Sequence, residues 1–368
     1  MNDEGYMRLA LDLARRGEGW TSPNPMVGAV IVKDGEIIGR GWHRRCGGLH
    51  AEREALADCA VSPVGGTMYV TLEPCCHQGR QPPCTDAILA AGIRRVVVGS
   101  GDPNPLVAGN GVRILRERGV EVTAGVLEED CRRRNEVFFH YIRTGRPFVV
   151  MKYAMTLDGK IAAWTGRSRW ITGPAAREHV HRLRHRYHAI LVGVGTVLAD
   201  DPQLTCRLPE GRDPLRVVCD THLRTPLTAR VVATAGQPPT LLATCCSDPA
   251  RITPYRRAGC RVITLPKREG HVDLDALMAR LGQEEVDSVL LEGGGTLNWA
   301  ALRSGVVQKV FTYLAPKLLG GREAPTPVEG PGVPDPADAF PLRPGSVTRL
   351  GDDILLESEV IPFVHGDR

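Results

Sequence analysis

Aromatic residues are scarce in this chain, at 5%, and no run of five or six like charges occurs. A protein that grips nucleic acid is expected to show a basic stripe or stacking aromatics. Neither is evident, so no nucleic-acid partner is expected. The net charge of +4 is mild, and it remains compatible with anionic small molecules such as phosphates. No apolar run approaches the length of a membrane span, so no membrane partner is expected. The start, Met1-Asn2-Asp3-Glu4-Gly5, has no basic segment and no apolar core, so it is no secretory signal. Eleven cysteines cannot all pair with one another. Without an export signal the chain reads as cytoplasmic, with its thiols reduced, metal-bound or buried. What is present is ordinary for a globular protein, 42% hydrophobic and 24% charged. At 368 residues the chain is too long for one average domain, and two are expected.

The chemistry is concentrated at His50-Ala51-Glu52, taken together with Pro74-Cys75 and Pro83-Cys84. One imidazole and two thiolates are good zinc ligands, and three protein ligands leave a tetrahedral position open to water. Glu52 is the right group to shuttle that water's proton. His-x-Glu followed by Pro-Cys and a second Cys is the signature of zinc-dependent base deaminases. The spacing departs from it, because Cys75 and Cys84 are nine positions apart rather than three. Two other readings stand beside this one: a structural zinc completed by Cys76 or His77, and ordinary buried cysteines near a core histidine. The latter does not explain why both Pro-Cys steps and the glutamate fall where the chemistry wants them.

Strands and helices alternate along the chain, which makes it an α/β protein. Tyr6, Leu9, Ala10, Leu13 and Ala14 recur at helical spacing. Residues 27–32 and 36–41 read as a hairpin turned by Asp34-Gly35. His50 opens the next helix, 67–72 is a strand, and Cys84 sits at the start of a helix over 85–91. Residues 128–142 read as one long helix. Gly145-Arg146-Pro147 marks the boundary between domains at 1–145 and 147–368. Beyond it, 148–151 reads as a strand and 175–186 as a helix whose His179, His181 and His185, with His188 beyond, look like a solvated basic face. Residues 189–194 read as a buried strand. Residues 288–291 form a strand that runs into Glu292-Gly293-Gly294-Gly295-Thr296, with a helix beginning near Leu297. A strand, a glycine turn and a helix N-terminus can cradle phosphate, although this run is not the dinucleotide fingerprint and a flexible turn is equally compatible with it. Residues 320–338 read as a surface loop, and 348–350 with 354–360 as a closing hairpin.

Taken together these motifs resemble the bifunctional deaminase/reductase family of riboflavin biosynthesis, over almost the whole length. In the first part the resemblance rests on Pro23-Asn24-Pro25-x-Val27-Gly28, His50-Ala51-Glu52, Thr71-Leu72-Glu73-Pro74-Cys75, His77-x-Gly79-Arg80-x-Pro82-Pro83-Cys84 and Asp102-Pro103-Asn104-Pro105. In the second it rests on Leu157-Asp158-Gly159, Trp170-Ile171-Thr172, the run from Thr196 to Thr205, Glu292-Gly293-Gly294 and Ala315-Pro316-Lys317-Leu318-Leu319-Gly320. The long Cys75–Cys84 spacing is what this family shows. Leu49 stands where the family usually has Pro, and Cys76 where it usually has Ser.

The resemblance implies a cytidine-deaminase-like three-layer N-terminal domain and a dihydrofolate-reductase-like C-terminal domain. The first would hydrolyse an amino group from a phosphoribosylamino-diaminopyrimidinone, with Zn2+ on His50, Cys75 and Cys84 and Glu52 as proton carrier. Asn24 would orient the pyrimidine, and His43, His77 and Arg80 are candidates for the ribose phosphate. The second domain would use NADPH to reduce the ribosyl group to a ribityl chain. Ala154, Trp170, Thr196, Asp200, Thr221 and the segment from Gly294 through Gly295 and Thr296 to Ala300 would contact the cofactor. Ser168, Arg184, Leu204, Arg207 and Glu292 would contact substrate, and Lys152 and Asp158 are candidates for proton transfer. We expect a homo-oligomer.

Overall fold

The structure is a computed structural model that describes residues 1–78 and 81–361, so the expectation placed on Arg80 lies outside the described residues. The chain divides into two compact units, Met1–Gly145 and Arg146–Arg368. Among the described residues no helix is long and apolar enough to cross a membrane.

The first unit runs α1 (Asp3–Arg15), β1 (Gly28–Lys33), β2 (Glu36–Trp42), α2 (Ala51–Ala57), β3 (Thr67–Leu72), α3 (Cys84–Ala90) and β4 (Arg95–Ser100). It continues through α4 (Asn110–Glu117), β5 (Glu121–Ala124), α5 (Glu128–Arg134) and α6 (Glu136–Thr144). The strands form one sheet in the order β2-β1-β3-β4-β5. β1 pairs antiparallel with β2 and β3, while β3, β4 and β5 run parallel. Strand periodicity sends Ala29 and Ile31 to one face, where they join Ala51, Ala55, Ile88 and Leu115. Val30 and Val32 point to the other, where they join Tyr6, Met7, Ala10 and Leu13. Helices therefore cover both faces, giving three layers. α2 lies close against β2 because β2 carries glycine there. A Cβ on Gly41 would come within 2.3 Å of the Ala51 carbonyl and the Ala55 nitrogen.

One expected helix is broken. The stretch 128–142 bends at Asn135, whose φ of −108° and ψ of 23° interrupt the helix. Its buried side chain accepts a bond from the Met26 N–H at 2.8 Å and donates to the Met26 carbonyl at 2.9 Å. Two long-range bonds outweigh the local periodicity.

The second unit runs β6 (Phe148–Thr156), α7 (Pro174–Arg186), β7 (Ala189–Gly193), α8 (Val194–Asp200), β8 (Leu215–Cys219), α9 (Arg230–Ala233) and β9 (Thr240–Thr244). Then come α10 (Pro249–Arg257), β10 (Arg261–Thr264), the short pair β11 (Lys267–Arg268) and β12 (His271–Val272), and α11 (Leu274–Gln283). β13 (Ser288–Leu291), α12 (Gly295–Arg303), β14 (Val307–Ala315), β15 (Leu342–Leu350) and β16 (Asp353–Val360) complete it. The main sheet has the order β10-β9-β8-β7-β13-β6-β14-β16-β15. From β10 to β14 the strands run parallel, and β16 and β15 close the sheet antiparallel. The buried strands are almost continuously apolar, as strands covered on both faces must be. Val149, Leu191, Val217 and Val289 fill one face, and Ile190, Val192, Val218 and Leu242 the other.

β6 runs five residues past its expected end, because residues 152–156 pair with β14. α12 begins at Gly295, earlier than expected, with Gly294 as its cap. The closing hairpin starts at Leu342, and 320–338 holds no regular element beyond a single turn at Pro336–Asp338.

Candidate active sites

In the first unit, three donors converge from separate elements. His50 caps α2, Cys84 is the first residue of α3, and Cys75 follows β3. Their ligand atoms all lie within 4.8 Å of one another. His50 Nδ1 is 3.5 Å from the Cys75 sulfur and 3.3 Å from the Cys84 sulfur. The Cys84 N–H donates to the Cys75 sulfur at 3.4 Å. A side-chain hydrogen bond from the Cys84 thiol, and then one from His50, holds the Cys75 thiol well below the usual thiol range, while that thiol–thiol bond and burial push the Cys84 thiol up. This is an anionic, half-enclosed set of soft donors, and zinc fits it. Glu52 lies one residue into α2 and is 4% exposed. Burial, then the charge of Cys75, pushes its carboxyl up.

Cys76 is not part of this set. Its sulfur turns to the Leu106 carbonyl at 3.6 Å. His43 is 2% exposed and does not present a free edge to a phosphate. Its Nδ1 bonds the Leu49 carbonyl at 2.8 Å, and its Nε2 takes the Asn24 amide at 3.2 Å. The unusual Leu49 thus contributes only its backbone, and His43 acts by fixing the rotation of Asn24. Glu73 carries a role that the sequence did not reveal. Its buried carboxylate accepts from the backbone N–H groups of Asp102, Gly109 and Val112, at 3.3, 3.0 and 3.1 Å. It fastens the 102–112 loop beside the Cys75 turn.

In the second unit, a cavity of about 380 Å³ opens over the C-terminal ends of β6, β7 and β13. In open parallel sheets ligands bind outside these strand ends. Ala154, Ser168, Trp170, Arg184, Thr196, Asp200, Leu204, Arg207, Glu292 and Gly294 all line it, together with Lys152. Thr221, Gly295 and Thr296 do not. Thr221 lies past the end of β8, where its hydroxyl accepts from the Val272 N–H. Gly295 is buried against Glu329, and Thr296 is exposed on α12.

The polar centre of this cavity is Glu292. Arg184 Nε donates to it at 2.8 Å and a second guanidinium nitrogen at 3.0 Å, a paired contact that only arginine offers. Lys152 Nζ approaches at 3.4 Å. Burial alone would raise the Glu292 carboxyl, but Arg184 and Lys152 outweigh it and hold it at about 2. Asp158 stands elsewhere. It staples a turn by accepting from Thr156, Leu319 and Gly320, and is not among the residues lining the cavity. The histidines of α7 do not form a solvated face. His179 bonds the Tyr313 hydroxyl at 2.6 Å, His185 accepts from the Arg212 N–H at 2.9 Å, and His181 lines the cavity. Arg169, Arg177 and Arg230 also line it, and the sequence reading did not single them out.

The wall suits a nicotinamide cofactor. It offers an indole, Trp170, that is 60% exposed, and a Gly294 beside which a Cβ would meet only open space.

Residues 1–100 match the cytidine and deoxycytidylate deaminase zinc-binding region, and residues 147–356 match the RibD C-terminal domain. The chain is 52% identical to the riboflavin biosynthesis protein RibD of Actinobacillus pleuropneumoniae over 98% of its own length and 96% of the relative's. It is 42% identical to that of Escherichia coli, covering 97% and 99%. Among solved structures it is similar to Acinetobacter baumannii RibD, with TM-score 0.87 at 37% identity, covering 98% and 99%. A Thermotoga maritima diaminohydroxyphosphoribosylaminopyrimidine deaminase/5-amino-6-(5-phosphoribosylamino)uracil reductase matches with TM-score 0.86 at 38% identity, again covering 98% and 99%.

Proposed function

The chain belongs to the RibD family of riboflavin biosynthesis proteins, a family of bifunctional deaminase/reductases, and from that premise we propose how its two units divide the work. The first deaminates a phosphoribosylamino-diaminopyrimidinone. The second reduces the ribosyl group of the product to a ribityl chain at the expense of NADPH. The observation that carries this reading is that each unit holds one chemically competent constellation: a His-Cys-Cys donor set with a buried glutamate, and a cavity centred on Glu292.

Zinc, when bound by His50, Cys75 and Cys84, supplies a Lewis acid that acidifies water at neutral pH. Glu52 would carry two protons in turn, the first from that water to the ring nitrogen and the second from the hydroxyl added to the ring carbon to the departing amine. Buried beside the donor set, Glu52 is placed to accept and give a proton. Asn24, fixed by His43, orients the pyrimidine.

NADPH, when bound, supplies the electron pair and the hydrogen for the sugar carbon. Ala154, Trp170, Thr196, Asp200 and Gly294 form the wall on which we place it. Ser168, Arg184, Leu204, Arg207 and Glu292 hold the substrate. Lys152, beside Glu292, is placed to give a proton to the opened sugar oxygen.

Purified chain, the diaminopyrimidinone and NADPH, with separate readouts for ammonia and cofactor oxidation, test both halves. Ammonia release that precedes NADPH oxidation is expected. Ammonia without NADPH oxidation, even when the deaminated compound is supplied, would overturn the reductase assignment. Light scattering tests the expected homo-oligomer.

A further inference from the structure

The two arginines assigned to substrate are not equivalent. Arg184 is held in place by the protein and keeps only part of its donor set for substrate: Nε and one terminal nitrogen bond Glu292, and the other terminal nitrogen donates to the Thr205 carbonyl at 3.1 Å. Arg207 is exposed, on the connection between α8 and β8. Two of its nitrogens, Nε at 3.2 Å and a terminal nitrogen at 3.1 Å, converge on a single acceptor, Nε2 of His181. An arginine N–H can only donate, so this ring nitrogen must carry a lone pair and the imidazole must be neutral, with its hydrogen on Nδ1. Burial, and then the charges of Arg184 and Arg207, push the His181 pKa down to about 4, in agreement with a neutral ring.

The helix explains the placement. Arg177, Val180, His181 and Arg184 fall at i, i+3, i+4 and i+7 on α7, so they share one face, and all four line the cavity. The same connection is tied down beside His181, since the Cys206 sulfur bonds the His181 carbonyl at 3.4 Å.

We propose that His181 is a positioning residue: it grips one edge of the Arg207 guanidinium, so that the remaining N–H groups face the cavity and take the anionic end of the substrate. Without that grip a long, exposed side chain would sample many rotamers before finding one productive geometry. The inference rests on the reductase reading of this cavity.

The test has a kinetic and a spectroscopic arm. A lost positioning bond is expected to raise KM for the phosphorylated, deaminated intermediate about tenfold in His181→Ala, with kcat little changed. Arg207→Ala should do at least as much, and the double variant no more than Arg207→Ala alone. His181→Gln, which restores an acceptor oxygen, should recover most of the loss. A kcat for NADPH oxidation near the wild-type value, with an unchanged melting temperature, reports that the unit carrying each variant is folded. Effects that multiply in the double variant, or a glutamine no better than alanine, would overturn the proposal. Nitrogen-15 spectra need no turnover: the resonance lost in His181→Gln should be a neutral ring with an unprotonated Nε2 at neutral pH. A protonated ring there refutes the proposal even if NADPH oxidation is normal, whereas absent oxidation in the wild type counts against the reductase reading itself.

Discussion

In the proposed mechanism, Glu52 is the residue on which deamination turns. It is buried, burial raises its carboxyl, and it is not one of the three residues that could hold the metal. Substituting Glu52 by Gln should leave bound zinc at wild-type stoichiometry while ammonia release falls by about a hundredfold or more. Metal analysis and an ammonia assay on the same sample check both halves of that statement. Glu292 makes a pH-dependent prediction of the other kind. Its folded pKa of about 2 lies below its ordinary 4.5, so the stability it contributes is present in full above 4.5 and is lost as the pH falls towards 2. The gap in melting temperature between wild type and Glu292→Gln should therefore shrink from about pH 6 to about pH 3. At this scale the metal donors were legible because Pro-Cys and His-x-Glu carry their chemistry in their identity. His43, Glu73 and His181 were not. Each matters through a partner distant in sequence: Asn24, the 102–112 backbone and Arg207.

Elements decide how tightly the donors are held. The helix that presents His50 and Glu52 is pressed against β2 at Gly41, where a Cβ would strike the helix backbone. Gly41→Ala should cost about 1–3 kcal/mol, because helix and strand must move apart. The same displacement should weaken zinc retention, read by a chelator competition alongside a urea melt. The hairpin of β1 and β2 and the helix α2 were readable from turn residues and periodicity. The break at Asn135 was not, since residues 128–142 keep their helical pattern and only the bonds to Met26 interrupt it. The inward face of α7 was missed for a related reason. Charged and imidazole side chains on a helix are usually solvated, and only the neighbouring connection shows that here they line a cavity.

For the whole molecule, every donor of the metal set comes from the first unit, and every residue lining the Glu292 cavity comes from the second. Removing zinc with a chelator should abolish ammonia release while NADPH oxidation persists on supplied deaminated intermediate, measured by absorbance. Equal loss of both activities would contradict that separation. The alternation of strands and helices made the α/β character plain from sequence, whereas the sheet order, with β13 inserted between β7 and β6, arises from pairings that no local pattern records. That insertion has a consequence for how the enzyme tolerates change. Glu292 rises from a strand clasped on both flanks, so its carboxylate sits at a fixed point of the scaffold. Arg207 hangs from a connecting segment outside the sheet and is itself exposed. Attempts to retune which phosphorylated sugar is accepted should begin on the Arg207 side, leaving the Glu292 side as the anvil against which any new substrate is held.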